Sequence, residues 1–144
     1  MMLNAPKILT ERPPIFNKII EAGLKPNELK TIYTYGDTIY NPGGMEIPPD
    51  LICHEMVHMR QQREMEGGPD VWWDLYLKNA NMRLEWEVEA YAAQYKYFYS
   101  RKKSRNAQLN ILAAIAIILS GPTYGHMITA EDAIRMVRNE AGIA

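Results

Sequence analysis

The chain has 144 residues, 47% of them hydrophobic, which suits one domain with a core of its own. Its 16 Lys and Arg against 17 Asp and Glu leave a formal charge of -1, so no strong field draws it to phosphate and no nucleic-acid partner is expected. One cysteine excludes an internal disulfide, and the opening Met1-Met2-Leu3-Asn4-Ala5-Pro6-Lys7 lacks the apolar run of a secretion signal, so a reducing, cytoplasmic setting is expected.

Pro13-Pro14 introduces a short amphipathic helix from Ile15 to Ala22, which Gly23 terminates. Thr31-Ile32-Tyr33-Thr34-Tyr35 and Thr38-Ile39-Tyr40 are β-branched and aromatic, and with Gly36-Asp37 between them they read as a tight hairpin. After Asn41-Pro42-Gly43-Gly44, Pro48-Pro49 stops an extended stretch and offers Asp50 as N-cap of a helix that runs from Leu51 to Glu64 without Gly or Pro. Gly67-Gly68-Pro69-Asp70 ends that region, with Asp70 available to start the next helix. Val71 to Lys103 reads as helical, broken near Asn79-Ala80-Asn81, and most of its aromatic side chains are expected in the core. The apolar run from Ala107 to Leu119 falls short of the roughly 20 residues a bilayer core requires, so it reads as a buried helix rather than a membrane span. Arg101-Lys102-Lys103 and Arg105 before it read as a solvated turn. Ser120 to His126 is a loop, and Thr129-Ala130-Glu131-Asp132 caps a last helix reaching about Asn139. With no repeat or linker, residues 1–144 form one α+β domain, mostly helical, with a small β-hairpin or sheet beside the helix of residues 51–64.

That helix carries His54-Glu55-Met56-Val57-His58. Positions i and i+4 share a helical face, so both imidazoles reach one ion, with Zn–N bonds of roughly 2.0–2.1 Å. Glu55 beside them is placed to take a proton from a metal-activated water. Only 3 His are present in the chain, and shuffling would produce this motif roughly once in 300 arrangements, so coincidence is a poor explanation. Cys53 points about 100° away from His54 on the helix and reads as a buried structural thiol rather than a ligand.

Catalytic zinc takes three protein ligands, so a third must come from elsewhere. Glu85, Glu87 and Glu89 stand on the later helix, and His126 in the loop is a further candidate. On a wheel, Leu84, Val88, Tyr91, Tyr95 and Phe98 make the buried stripe, and Glu87, Ala90 and Gln94 flank it more closely than Glu85 or Glu89 do. The wheel favours Glu87, beside the small Ala90 that lets another helix approach.

His54-Glu55-Met56-Val57-His58, followed on a later helix by Glu87-Val88-Glu89-Ala90, resembles the gluzincin class of zincin metallopeptidases. The resemblance spans about Thr38 to Ala93. It implies a Zn2+ site of His54, His58 and Glu87, with Glu55 as general base in hydrolysis of a peptide or protein substrate. It also implies a small sheet whose edge strand receives an extended peptide. Many relatives carry Asp or Asn directly after the Ala, to support the site; Tyr91 stands there instead, and the partner of the first His is unassigned. The compact chain is also similar to short zincins of phages and mobile elements. For the tetrahedral oxyanion a further donor is expected, and Tyr124 and His126 in the Gly- and Pro-bounded loop are the candidates. Gln61 and Gln62 either line the cleft or are solvated. Two other functions fit the same motif: a peptidoglycan-peptide amidase or endopeptidase, and a noncatalytic zinc-binding phage structural or regulatory module, which would have no use for Glu55.

Overall fold

The computed structural model describes residues 5–101 and 104–143. It is a mostly helical α+β fold with a small mixed sheet. Strand β1 (Lys7–Leu9) precedes helix α1 (Phe16–Glu21), which stops at Gly23, where φ of +86° favours a residue without Cβ. Strands β2 (Tyr33–Tyr35) and β3 (Thr38–Tyr40) form the expected antiparallel hairpin across Gly36-Asp37, with Tyr35 opposite Thr38. The sequence reading did not anticipate β1. It pairs in parallel with β3, giving the order β1-β3-β2 and leaving β2 at one edge.

Helix α2 (Pro49–Glu64) starts two residues earlier than Asp50 capping would have it. Pro48 is the N-cap and Pro49 occupies the first helical turn, where its missing N–H costs nothing. Asp50 instead accepts a hydrogen bond from Gln94 (Nε2 to Oδ2, 3.0 Å). Helix α3 (Gly68–Lys78) follows from a left-handed Gly67, so Asp70 lies inside its first turn and accepts from the Tyr35 hydroxyl at 2.8 Å. The break expected near Asn79 is there: α3 ends at Lys78 and α4 (Ala80–Arg101) begins, with Asn79 Oδ1 accepting from Met82 N at 3.1 Å.

Helix α5 (Arg105–Leu119) departs from the buried helix expected of its apolar sequence. Only Leu112, Ile115, Ala116 and Leu119 are buried, and Ile117 is 70% exposed. Among the described residues no helix is long and apolar enough to cross a membrane. In the basic turn before it, Arg101 and Arg105 are exposed as expected, while Lys102 and Lys103 lie outside the described residues. A 3₁₀ turn at Pro122–Tyr124 leads to α6 (Ala130–Ala141), which opens on a capping box between Thr129 and Asp132.

Two apolar clusters frame the middle of the molecule. One joins α4, α5 and α6 through residues such as Leu84, Val88, Leu112, Leu119 and Val137. The other joins α1, β2 and α3 through Ile15, Ile19, Tyr33, Trp72, Trp73 and Tyr76. Between them α2 lies against α4.

Candidate metal centre

The buried residues of α2 are His54, Glu55, His58, Gln61 and Gln62, with no aliphatic side chain among them. Burying five polar groups costs free energy unless each is hydrogen-bonded. Each is, and the partners define the site.

His54 Nε2 and His58 Nε2 lie 3.2 Å apart, and Glu87 Oε1, arriving from α4, lies 3.0 Å from the first and 2.7 Å from the second. Ligand atoms around a tetrahedral ion with bonds of roughly 2.0–2.1 Å are roughly 3.3 Å apart, so this triangle is close to one face of such a site. Glu55 competes with Glu87 for the third position: ligand atoms of His54, Glu55 and His58 lie within 4.8 Å of one another and form a group that could hold a metal ion. Distance separates the two carboxylates: Glu55 Oε2 comes no closer to His54 Nε2 than 3.7 Å, and Glu55 Oε1 accepts from the Thr34 hydroxyl at 2.9 Å.

The outer ring nitrogens explain the tautomers. Gln94 Nε2 donates to Asp50, so its Oε1 is free to accept from His54 Nδ1 at 3.0 Å. Gln61 Nε2 donates to Glu89 Oε1 (2.7 Å) and the Trp86 carbonyl (3.1 Å), so its Oε1 accepts from His58 Nδ1 at 2.9 Å. With each Nδ1 carrying hydrogen, each neutral ring turns its Nε2 lone pair toward the other and toward Glu87. Two lone pairs and a carboxylate oxygen in contact require a positive charge among them. A proton on His58 supplies it in the absence of metal: burial acts against that proton, but Glu87 and then Glu55 outweigh it and lift the His58 pKa to about 9. A metal ion meets the same requirement, and the residues present could hold one.

Glu87 is gripped from its other side. Tyr76 donates to Oε2 at 2.7 Å and Tyr124 at 3.2 Å, leaving Oε1 for the histidines. Burial alone would raise the Glu87 pKa, but His58 and His54 hold it well below the usual carboxylate range. For Glu55 burial prevails over the same two histidines, and its pKa is raised.

The sequence candidates fare differently. His54, His58, Glu55 and Glu87 are brought together, all no more than 7% exposed. Glu85 is exposed, and Glu89 is spent on Gln61 and on Arg60 (2.7 Å). Tyr124 reaches the site, but buried against Glu87 rather than displayed by a loop, because the 3₁₀ turn directs it inward. His126 does not join them: it is exposed, at a left-handed φ of +51°, with Nδ1 3.1 Å from the Ser120 carbonyl. Gln61 and Gln62 are buried structural amides, not solvated ones. Cys53 is only partly buried and lies outside the metal-competent group.

The sequence reading named Gln94 and Gln61 without their roles toward the histidines, and it assigned no role to Tyr76 or Thr34. Gln94 carried a signal, since positions 87, 91 and 94 recur on one helical face, and Gln61 sits three residues after His58 on its own. Tyr76 and Thr34 come from separate elements and carried none. Tyr91, in the place of the expected Asp or Asn, packs edge-on against His54 with ring centroids 4.4 Å apart, and among the described residues its hydroxyl has no hydrogen-bond partner.

Comparison with protein-family models, curated proteins and solved structures found no match.

Proposed function

We propose that this chain is a zinc-dependent hydrolase of the gluzincin kind that cleaves peptide (amide) bonds, with His54, His58 and Glu87 as ligands and Glu55 as general base. The observation that carries this is the pairing of a ready-made ligand triangle with a buried carboxylate that stays out of it. When bound, zinc would acidify a water molecule and polarise the substrate carbonyl.

The protein's own groups do the rest. Thr34 fixes one oxygen of Glu55 and leaves the other beside the metal centre. In the metal-free site burial raises the Glu55 pKa against the pull of His54 and His58. Glu55 takes a proton from the attacking water and hands it to the leaving amine as the C–N bond breaks, so no net proton is gained or lost. The oxyanion formed on the carbonyl needs a donor that is not already engaged. Tyr76 and Tyr124 donate their hydrogen bonds to Glu87, whereas the Tyr91 hydroxyl is uncommitted among the described residues and Tyr91 lines the cleft over the site. Tyr91 therefore replaces Tyr124 and His126 as our candidate donor. A cytoplasmic setting accompanies this reading, supported by the single cysteine.

Glu55→Gln tests the reading, because it preserves shape and removes the base. Zinc content should stay at the wild-type level while peptide hydrolysis falls by ~10²–10⁴. Unchanged hydrolysis would refute the assignment of the base.

A further inference from the structure

An edge strand beside a metalloenzyme cleft can hold an extended substrate by main-chain hydrogen bonds, which are indifferent to side-chain identity. Here the edge is already filled. The Thr34 carbonyl accepts from Gln62 Nε2 (2.8 Å) and Trp73 Nε1 (2.9 Å), and Gly36 N donates to Gln62 Oε1 (2.8 Å). The fully buried Gln62 amide thus engages Thr34 on the β2 edge and Gly36 just beyond the strand, two residues apart, much as the backbone of a neighbouring strand would. The extended-peptide docking implied by the family resemblance is blocked at this point, the stretch of edge that also carries the Thr34 contact to Glu55.

What remains is a cleft of about 350 Å³. Leu51, Trp72 and Trp73 give it apolar walls, and Lys25, Lys30 and Ile32 line it as well. Among the described residues Glu55 and Glu87 are its only acidic lining residues, and both face the metal centre. Lys25 and Lys30 are exposed and form no ion pair among the described residues. With main-chain pairing lost at Thr34, side-chain and end-group contacts must supply more of the substrate affinity. Two ammonium groups over apolar walls favour a carboxylate.

We propose that the cleft selects peptides bearing a carboxylate next to the scissile bond, with Lys25 and Lys30 as its counter-ions. This rests on the hydrolase reading above. Either a free C-terminus or an acidic side chain supplies the same chemistry. Three matched peptides separate these sources: one ending in a free acid, one in an amide, and one amidated but carrying Glu at the same position. The zinc-loaded protein should cleave at least one carboxylate-bearing peptide about tenfold faster, by kcat/KM, than the neutral amide. Whichever is preferred identifies the source. The preference should shrink with added salt and vanish in the Lys25→Gln/Lys30→Gln double variant, with zinc content retained. Equal cleavage of all three overturns the proposal and leaves the hydrolase reading standing, as does a preference that survives in the double variant. Cleavage of none, by protein that does hold zinc, overturns the hydrolase reading and this proposal with it.

Discussion

Glu87 Oε1 lies 2.7 Å from His58 Nε2, joining α4 to α2 at a point where neither partner is more than 7% exposed. If this contact marks the metal centre, His54→Ala and His58→Ala should each abolish zinc binding, and Glu87→Ala should weaken it by at least ~100-fold. Glu85→Ala should leave it unchanged, since Glu85 is exposed. Metal analysis after dialysis against a graded chelator reads all four. Full zinc retention by Glu87→Ala would refute the proposed ligand set.

Zinc affinity should depend on pH through His58. Its pKa in the metal-free fold is raised from 6.5 to about 9, so below that value zinc must displace a proton, and affinity should climb about tenfold per pH unit before levelling near 9. Metal-free stability runs the other way. A raised histidine pKa contributes stability that is fully present below 6.5 and is lost as pH rises through about 9. Chelator competition and thermal melts of the metal-free protein over that window check both slopes. A flat affinity profile would mean that no proton is displaced from His58.

Gln94 is expected to orient His54. Gln94→Leu removes the acceptor of the 3.0 Å contact to His54 Nδ1 while keeping similar bulk. The loss in zinc affinity should be ~10–100-fold, as for other groups that hold a metal-binding histidine. Unaltered affinity would assign Gln94 to packing alone.

Tyr91 and Tyr124 should separate. Removing the uncommitted hydroxyl in Tyr91→Phe should lower kcat by ~10²–10³ with zinc retained. It should also weaken binding of a tetrahedral phosphonamidate more than binding of the cleaved product. Tyr124→Phe loses a 3.2 Å hydrogen bond to Glu87 and should chiefly weaken zinc. The reverse pattern would restore Tyr124 as the oxyanion donor.

Local signals were enough for much of this protein. The hairpin at Gly36-Asp37, the break at Asn79 and the Thr129 capping box depend on backbone preferences that act within a few residues. The i, i+4 histidines and the face of α4 bearing Glu87 follow from the helical repeat. Position in space decided what periodicity could not. An apolar run reads the same whether one face or all faces are covered, so the exposure of Ile117 was set by which face of α5, that of Leu112, Ile115, Ala116 and Leu119, packs toward α4 and α6. Polar side chains carry no such pattern at all. Whether Gln62 meets water or the edge of β2, and whether Tyr124 faces solvent or Glu87, depends on hydrogen bonds between groups 28 and 37 residues apart in the chain. Such partners meet only once the packed core has brought their elements together, and burial then makes each of those bonds obligatory.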